Sequence, residues 1–205
     1  MRVFLTGATG FIGIPSVKEL ISAGHEVLGL ARSDEGAKTW AELGAKVQRG
    51  LLEDTDGLKK GAAAMDGVIH LGFIHDFSKF VENCEIDKRA IEALGSVLAG
   101  TKKPLIVTGG LAGIGAPGQL ATENESIPPN FPFPRVSEQT ALALKDVNAS
   151  VMRLPQVHNT IKQGLVSYMI PGHARERRGG ICRRREASGG RQPMFQMSPR
   201  LTDWR

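Results

Sequence analysis

A chain of 205 residues with 41% hydrophobic side chains is long enough for one ordinary domain with its own core. Its two cysteines, Cys84 and Cys182, stand far apart and outside C-x-x-C spacing, which argues against a disulfide framework or a zinc site and for a reducing cytoplasm. The net charge of +5 gives no argument for nucleic acid, because nine arginines against three acids after residue 174 supply +6 and leave the rest of the chain at −1.

Residues 3–6 form a short apolar run that reads as a strand and meets a glycine turn. Gly7, Gly10 and Gly13 break what might pass for a signal peptide, and no later window is apolar long enough to span a bilayer. Residues 11–23 place Ile12, Val17, Leu20 and Ile21 near helical spacing. A second strand is expected over 26–30, a helix over 34–43 capped by Ser33 or Asp34 and stopped by Gly44, and a weak third strand over 46–48. A short helix over 58–64 leads to residues 68–71, an apolar run between Gly67 and Gly72 that suits a strand buried on both faces. Residues 77–98 read as a long helix, and 105–107 as a fifth strand opened by Pro104. Residues 109–134, rich in Gly and Pro, form a long loop of the kind that covers active sites. A helix over 136–145 and a sixth strand over 150–154 complete the series. Strands alternating with helices at this rhythm call for an open, doubly wound α/β fold: a parallel sheet with right-handed crossovers and helices on both faces.

Gly7-Ala8-Thr9-Gly10-Phe11-Ile12-Gly13 is a G-x-x-G-x-x-G loop between the first strand and the first helix. In that context glycines let the backbone turn and let a pyrophosphate reach main-chain N–H groups, while the helix N-terminus supplies free donors and a favourable dipole. The last glycine permits close packing of helix on strand.

The run 6–13, the strand end Val68-Ile69-His70-Leu71-Gly72 and the later Leu105-Ile106-Val107-Thr108-Gly109 resemble the extended NAD(P)-dependent epimerase/dehydratase branch of the short-chain dehydrogenase/reductase superfamily. The resemblance covers about residues 1–170 and implies a Rossmann-type domain. It is nearest to small atypical members through Pro134-Arg135-Val136-Ser137-Glu138 and Arg153-Leu154-Pro155-Gln156-Val157-His158. It implies cofactor contacts from Gly7, Thr9, Gly10, Phe11, Ile12 and Gly13, from Leu51 and Leu52 beside the adenine, from Gly72 and Phe73 along the ribose and phosphates, and from Thr108, Pro155 and Val157 toward the nicotinamide. His70 is expected to be a packed structural histidine.

About 20 residues past the glycine loop, an acid would bond the ribose 2′-hydroxyl of NAD. This chain has Ala31 and then Arg32, whose guanidinium can bond a 2′-phosphate, so NADP is expected ahead of NAD. The alternative leaves Arg32 in solvent and gives the ribose to Asp34.

The resemblance also implies a Tyr-x-x-x-Lys pair as acid and base. The one tyrosine, Tyr168, is followed by Met169, Ile170, Pro171 and Gly172, so the pair is absent and activity is not expected to depend on it. Arg135 stands near the tyrosine position and Gly110 at the serine position. Substitutes are Arg135 to polarise a carbonyl, Ser137 or Thr108 to bond the substrate, and His158 for proton transfer. Each also has an ordinary reading, Ser137 as a helix N-cap among them. No histidine has partners at metal-ligand spacing, so no metal is expected.

The expected function is NADP(H)-dependent hydride transfer to or from a small carbonyl or alcohol, set against a non-catalytic dinucleotide sensor or a truncated, inactive homologue. A small-molecule substrate is the expected partner, with a homodimer mate the protein partner considered. The family's substrate subdomain is expected to be truncated or missing. Residues 171–205 form an Arg/Gly-rich tail that uses no lysine, reads as disordered or frame-shifted, and is not expected to belong to the fold.

Overall fold

The structure is a computed structural model and describes residues 1–155 other than 116, 117, 119, 129 and 130, together with residues 157 and 158. Met1–Pro155 make one compact unit and Gln156–Arg205 a second. The expected boundary at residue 170, Tyr168 and the Arg/Gly-rich tail lie outside the described residues.

Among the described residues six strands and five helices alternate: β1 (Arg2–Thr6), α1 (Gly13–Ser22), β2 (Glu26–Ala31), α2 (Asp34–Glu42), β3 (Lys46–Arg49), α3 (Thr55–Ala64), β4 (Gly67–His70), α4 (Phe80–Leu98), β5 (Pro104–Gly110), α5 (Ser137–Leu142) and β6 (Asn148–Leu154). One 3₁₀ turn, Phe77–Lys79, leads into α4. Every neighbouring pair of strands is parallel, in the order β3-β2-β1-β4-β5-β6. The expected doubly wound sheet is what the chain builds.

Side-chain alternation along the strands divides the core in two. Phe4, Val68, Leu105 and Val107 face α3, α4 and α5 through Leu58, Ala62, Ile91, Leu94 and Ala141. Leu5 and Val27 face α1 and α2 through Val17 and Trp40. β4 follows from its apolar run and lies inside the sheet, with Gly67, Val68 and His70 buried and Ile69 partly buried.

The boundaries differ from expectation where side chains outweigh periodicity. α3 starts three residues early because Asp54 accepts a hydrogen bond from the Gly57 amide and caps it. α4 starts at Phe80 because Asp76 caps the preceding 3₁₀ turn through Ser78. β5 and β6 are longer than expected and pair along seven residues each. Among the described residues of 111–136 there is no helix or strand, consistent with the expected long loop.

From β1 the chain winds outward through β2 and β3, then crosses back to β4. The crevice at the carboxyl ends of β1 and β4 is therefore a topological switch point, where open α/β sheets take their ligands.

Candidate functional site

Gly7 has φ +72°, and a Cβ on it would lie 2.6 Å from the Gly72 nitrogen, so the loop after β1 sits flush against the end of β4. A Cβ on Gly13 would lie 2.3 Å from the Ala8 Cα, which lets α1 begin directly against the loop. Gly10 differs: its Cβ would meet only the Gly7 carbonyl oxygen, at 3.0 Å, so one face of the loop is open. The Gly10 amide closes a turn on the Gly7 carbonyl and the Ile14 amide bonds the Gly10 carbonyl. No side chain caps α1, and the amides of Phe11, Ile12 and Gly13 make no protein hydrogen bond among the described residues. Free donors, an open glycine face and a helix dipole fit a dinucleotide pyrophosphate.

The neighbouring edge carries the other expected contacts. Thr9 packs beside the start of α2, where its methyl would lie 3.3 Å from a Cβ on Gly36. Arg32 is exposed directly after β2. Asp34, the alternative ribose ligand, is held by Arg49 at 3.0 Å. Arg49 ends β3 opposite Ala31 in the sheet register, and sequence reading missed it. Leu51 is exposed, while Leu52 leans on Gly72.

Past β4 the site is made of side chains. Phe73 lies under the Arg135 guanidinium, 4.2 Å from ring centre to Cζ. The Arg135 Nε–H donates to Ser137 Oγ at 2.9 Å and Nη2 donates to the Thr108 carbonyl at 3.3 Å. Ser137 Oγ, accepting from an obligate donor, turns its hydrogen to Asp87 Oδ2. Asp87 Oδ1 is 3.2 Å from His70 Nε2, and His70 Nδ1 is 2.8 Å from Thr6 Oγ1. Thr6 Oγ1 itself accepts from the Gly72 amide at 3.1 Å. His70 Nε2–H donates to the Asp87 carboxylate, and the Thr6 hydroxyl bonds Nδ1.

Burial pushes the Asp87 carboxyl up, but the hydrogen bond and electrostatic pull of His70, the nearby Arg135 charge and the Ser137 hydroxyl outweigh it and hold it below its ordinary range. Burial draws Arg135 down against the opposing pull of Asp87, without taking a guanidinium anywhere near neutrality. Burial also raises the Cys84 thiol, and burial with the Arg135 charge lowers His75.

Several expectations change here. Ser137 does not cap α5: the N-cap is Val136, and the Ser137 side chain goes instead to a buried carboxylate. Thr108 is buried inside β5 rather than at its end, and its hydroxyl donates to the His70 carbonyl at 3.1 Å. His70 is packed and buried as expected, yet it joins the end of β1 to Asp87. Asp87 was missed. Its signal was a carboxylate on the α4 face that also carries Asn83, Cys84, Ala90, Ile91 and Leu94, all buried. Glu138 in the first turn of α5 is also buried, and it holds Arg153 of β6 in a bidentate pair at 2.7 and 2.8 Å. Arg153 also donates to the carbonyls of Glu123 and Glu125, pinning the long loop. Pro155 is exposed; Val157, half-buried, and His158, exposed, belong to the second unit. Among the described residues no three His, Cys, Asp or Glu side chains gather as a metal site.

Sheet order, glycine loop and switch-point crevice define an open α/β domain of the Rossmann type. The chain belongs to the NAD dependent epimerase/dehydratase family, whose model matches residues 3–157. It is 49% identical over 176 residues to uncharacterized protein YLL056C of Saccharomyces cerevisiae and 48% over 174 residues to uncharacterized protein C2A9.02 of Schizosaccharomyces pombe. Each match covers 83% of this chain but only 59% of the yeast protein, so the chain spans well under two thirds of these relatives. A short-chain dehydrogenase/reductase superfamily protein from Agrobacterium tumefaciens with bound NAD shares the fold, with a TM-score of 0.57 at 18% identity over 75% of this chain and 48% of that one.

Proposed function

We propose that this chain binds NADP(H) and transfers hydride between the nicotinamide and a small or medium carbonyl or alcohol. The observation that carries the NADP assignment is the end of β2: Ala31 is followed by exposed Arg32, and the nearest acid, Asp34, is engaged by Arg49. An arginine there attracts a 2′-phosphate, where a carboxylate would repel one. The family and the NAD-bound Agrobacterium protein support a nicotinamide dinucleotide in general.

In this reading Gly7, Thr9, Gly10, Phe11, Ile12 and Gly13 hold the pyrophosphate, Leu51 and Leu52 flank the adenine, and Gly72, Phe73, Thr108 and Pro155 line the ribose and nicotinamide. The cofactor supplies or accepts the hydride. Arg135 binds and polarises the substrate oxygen, and Ser137 sets the guanidinium's orientation.

A second reading, a non-catalytic dinucleotide sensor or inactive homologue, is favoured by one observation. Both hydroxyls near Arg135 are already donating, Ser137 to Asp87 and Thr108 to the His70 carbonyl, so neither is free to protonate a substrate oxygen. Steady-state oxidation of NADPH against a panel of carbonyl compounds separates the two.

The cofactor assignment is tested by titrating NADPH and NADH. The unmutated protein should prefer NADPH. Arg32→Asp should weaken NADPH by roughly tenfold to a hundredfold, the worth of one charge-assisted hydrogen bond, and spare NADH. Equal affinity of the unmutated protein for both would overturn the NADP preference.

A further inference from the structure

We propose that Asp87 is a positioning residue that neutralises Arg135, so that the substrate group Arg135 receives is a neutral carbonyl oxygen rather than a carboxylate. The assignment of Arg135 as the oxygen-binding group rests on the function proposed above; the charge balance around it does not.

An arginine offers five N–H donors in a planar fork. Two are spent inside the protein, Nε on Ser137 and one on the Thr108 carbonyl, while Phe73 covers a face of the guanidinium. Nη1 has no protein partner among the described residues, and the side chain keeps 23% of its exposure. Taken alone, a guanidinium with a free edge at the rim of a crevice would be a carboxylate or phosphate site. It is not alone. Asp87, 2% exposed, lies 3.9 Å from Arg135 Nε and is joined to it through Ser137. Two further ionisable neighbours add no charge, since burial favours the neutral forms of His75 and Cys84.

The pair therefore presents oriented donors with no net charge. A neutral carbonyl gains two N–H donors there, whereas a carboxylate must give up its hydration in a place whose positive charge is already matched. The network also limits what Asp87 can do. Both Asp87 oxygens accept, Oδ1 from His70 Nε2–H and Oδ2 from the Ser137 hydroxyl, which itself accepts from Arg135. The chain of bonds orients Arg135 and ties it to the backbone of Gly72; Asp87, an acceptor at both oxygens, does not supply a proton.

Removing only the charge tests this. In Asp87→Asn the amide oxygen can still accept from His70 and the amide nitrogen can donate to Ser137 Oγ, so the shape is kept while Arg135 loses its counter-charge. Benzoate and its neutral counterpart benzamide are titrated into the full chain without cofactor, by calorimetry or NMR. Benzoate should bind the variant roughly tenfold to a hundredfold more tightly than the unmutated protein, with no such gain for benzamide. The gain should vanish in Asp87→Asn/Arg135→Gln. A pocket merely loosened by the substitution would admit both probes alike. Equal benzoate affinity in variant and unmutated protein, or an equal gain for benzamide, overturns the proposal.

Should Asp87→Asn fail to fold, the unmutated protein still decides it through the nitrogen shifts of His70. Hydrogen on Nε2 is expected. Hydrogen on Nδ1 alone would require a protonated Asp87 and overturn the proposal. No nucleotide enters either measurement, so failure of NADPH to bind would refute the proposed function and leave these outcomes as they stand.

Discussion

The two sides of the switch-point crevice are built from different materials. The β1 side uses backbone: a contiguous loop from Gly7 to Gly13 whose amides, turn and close contacts need only the absence of side chains. The β4 to α5 side uses side chains far apart in sequence, with separations of 64 between Thr6 and His70, 17 between His70 and Asp87, and 50 between Asp87 and Ser137. The first side should be sensitive to added bulk and the second to lost charge. Backbone sites are also fixed by local geometry, whereas a buried polar network holds only while every member keeps its partner.

The largest expected effect is on the side-chain half. Arg153→Met removes the bidentate partner of Glu138, which is 4% exposed, and frees the carbonyls of Glu123 and Glu125 from their anchor. Stranding a buried carboxylate typically costs about 3–5 kcal/mol, and the lower end applies because Arg153 itself keeps some contact with water. Denaturant unfolding should record a loss of about 3 kcal/mol, with faster proteolysis in the loop after β5. A loss under about 1 kcal/mol would mean that this pair is solvated like a surface pair and that the contrast between the halves is overdrawn.

On the backbone half, two glycines of one motif should separate cleanly. Gly13→Ala drives a methyl into the Ala8 backbone at 2.3 Å and should cost about 1–3 kcal/mol by overpacking, whatever ligand is present. Gly10→Val meets only the Gly7 carbonyl and should change the melting temperature far less, yet abolish NADPH binding by filling the open face. Thermal melts and a nucleotide titration on the two variants check this. If Gly10→Val still binds NADPH, the pyrophosphate does not lie over that glycine.

The same division explains what could be read from the sequence. The strand and helix pattern, the helices on both faces and the glycine loop depend on local periodicity and one contiguous motif, so Val17, Val68, Gly7 and Gly13 declared their roles. Asp87 did not, because its meaning comes from His70 on a strand and Ser137 on a later helix. Ser137 misled for a physical reason: a serine opening a helix is most often its cap, but a buried carboxylate within reach is a stronger acceptor than the free amides are donors. Arg49 was hidden similarly, since only the β2–β3 register sets it beside Ala31. Arg135 was found through the resemblance, on Pro134-Arg135-Val136-Ser137-Glu138, although neither its perch on Phe73 nor its carboxylate partner could be foreseen.

The smallest expected effect lies at the amino-terminal ends of β1 and β4, away from both halves of the crevice, and serves as their control. Arg2 opens β1 and Asp66 immediately precedes β4; the carboxylate accepts the Arg2 amide at 2.8 Å and its guanidinium at 2.7 Å. The Arg2 side-chain bond, reinforced by its amide, lowers the Asp66 carboxyl from 3.8 to about 2. A carboxyl lowered on folding stabilises the native state above its unfolded value, and that contribution drains away as pH falls from about 4 toward 2. Asp66→Asn should therefore flatten the acid limb of the stability curve within that window and leave the rest of it nearly unchanged. Because the pair is open to solvent, added salt should shrink even this difference. Nucleotide affinity should not move, since neither residue is near the glycine loop's open face or the Asp87 network. A shift in NADPH binding on Asp66→Asn would show that the two strands transmit strain from one end to the other, and that the crevice cannot be treated as two independent halves.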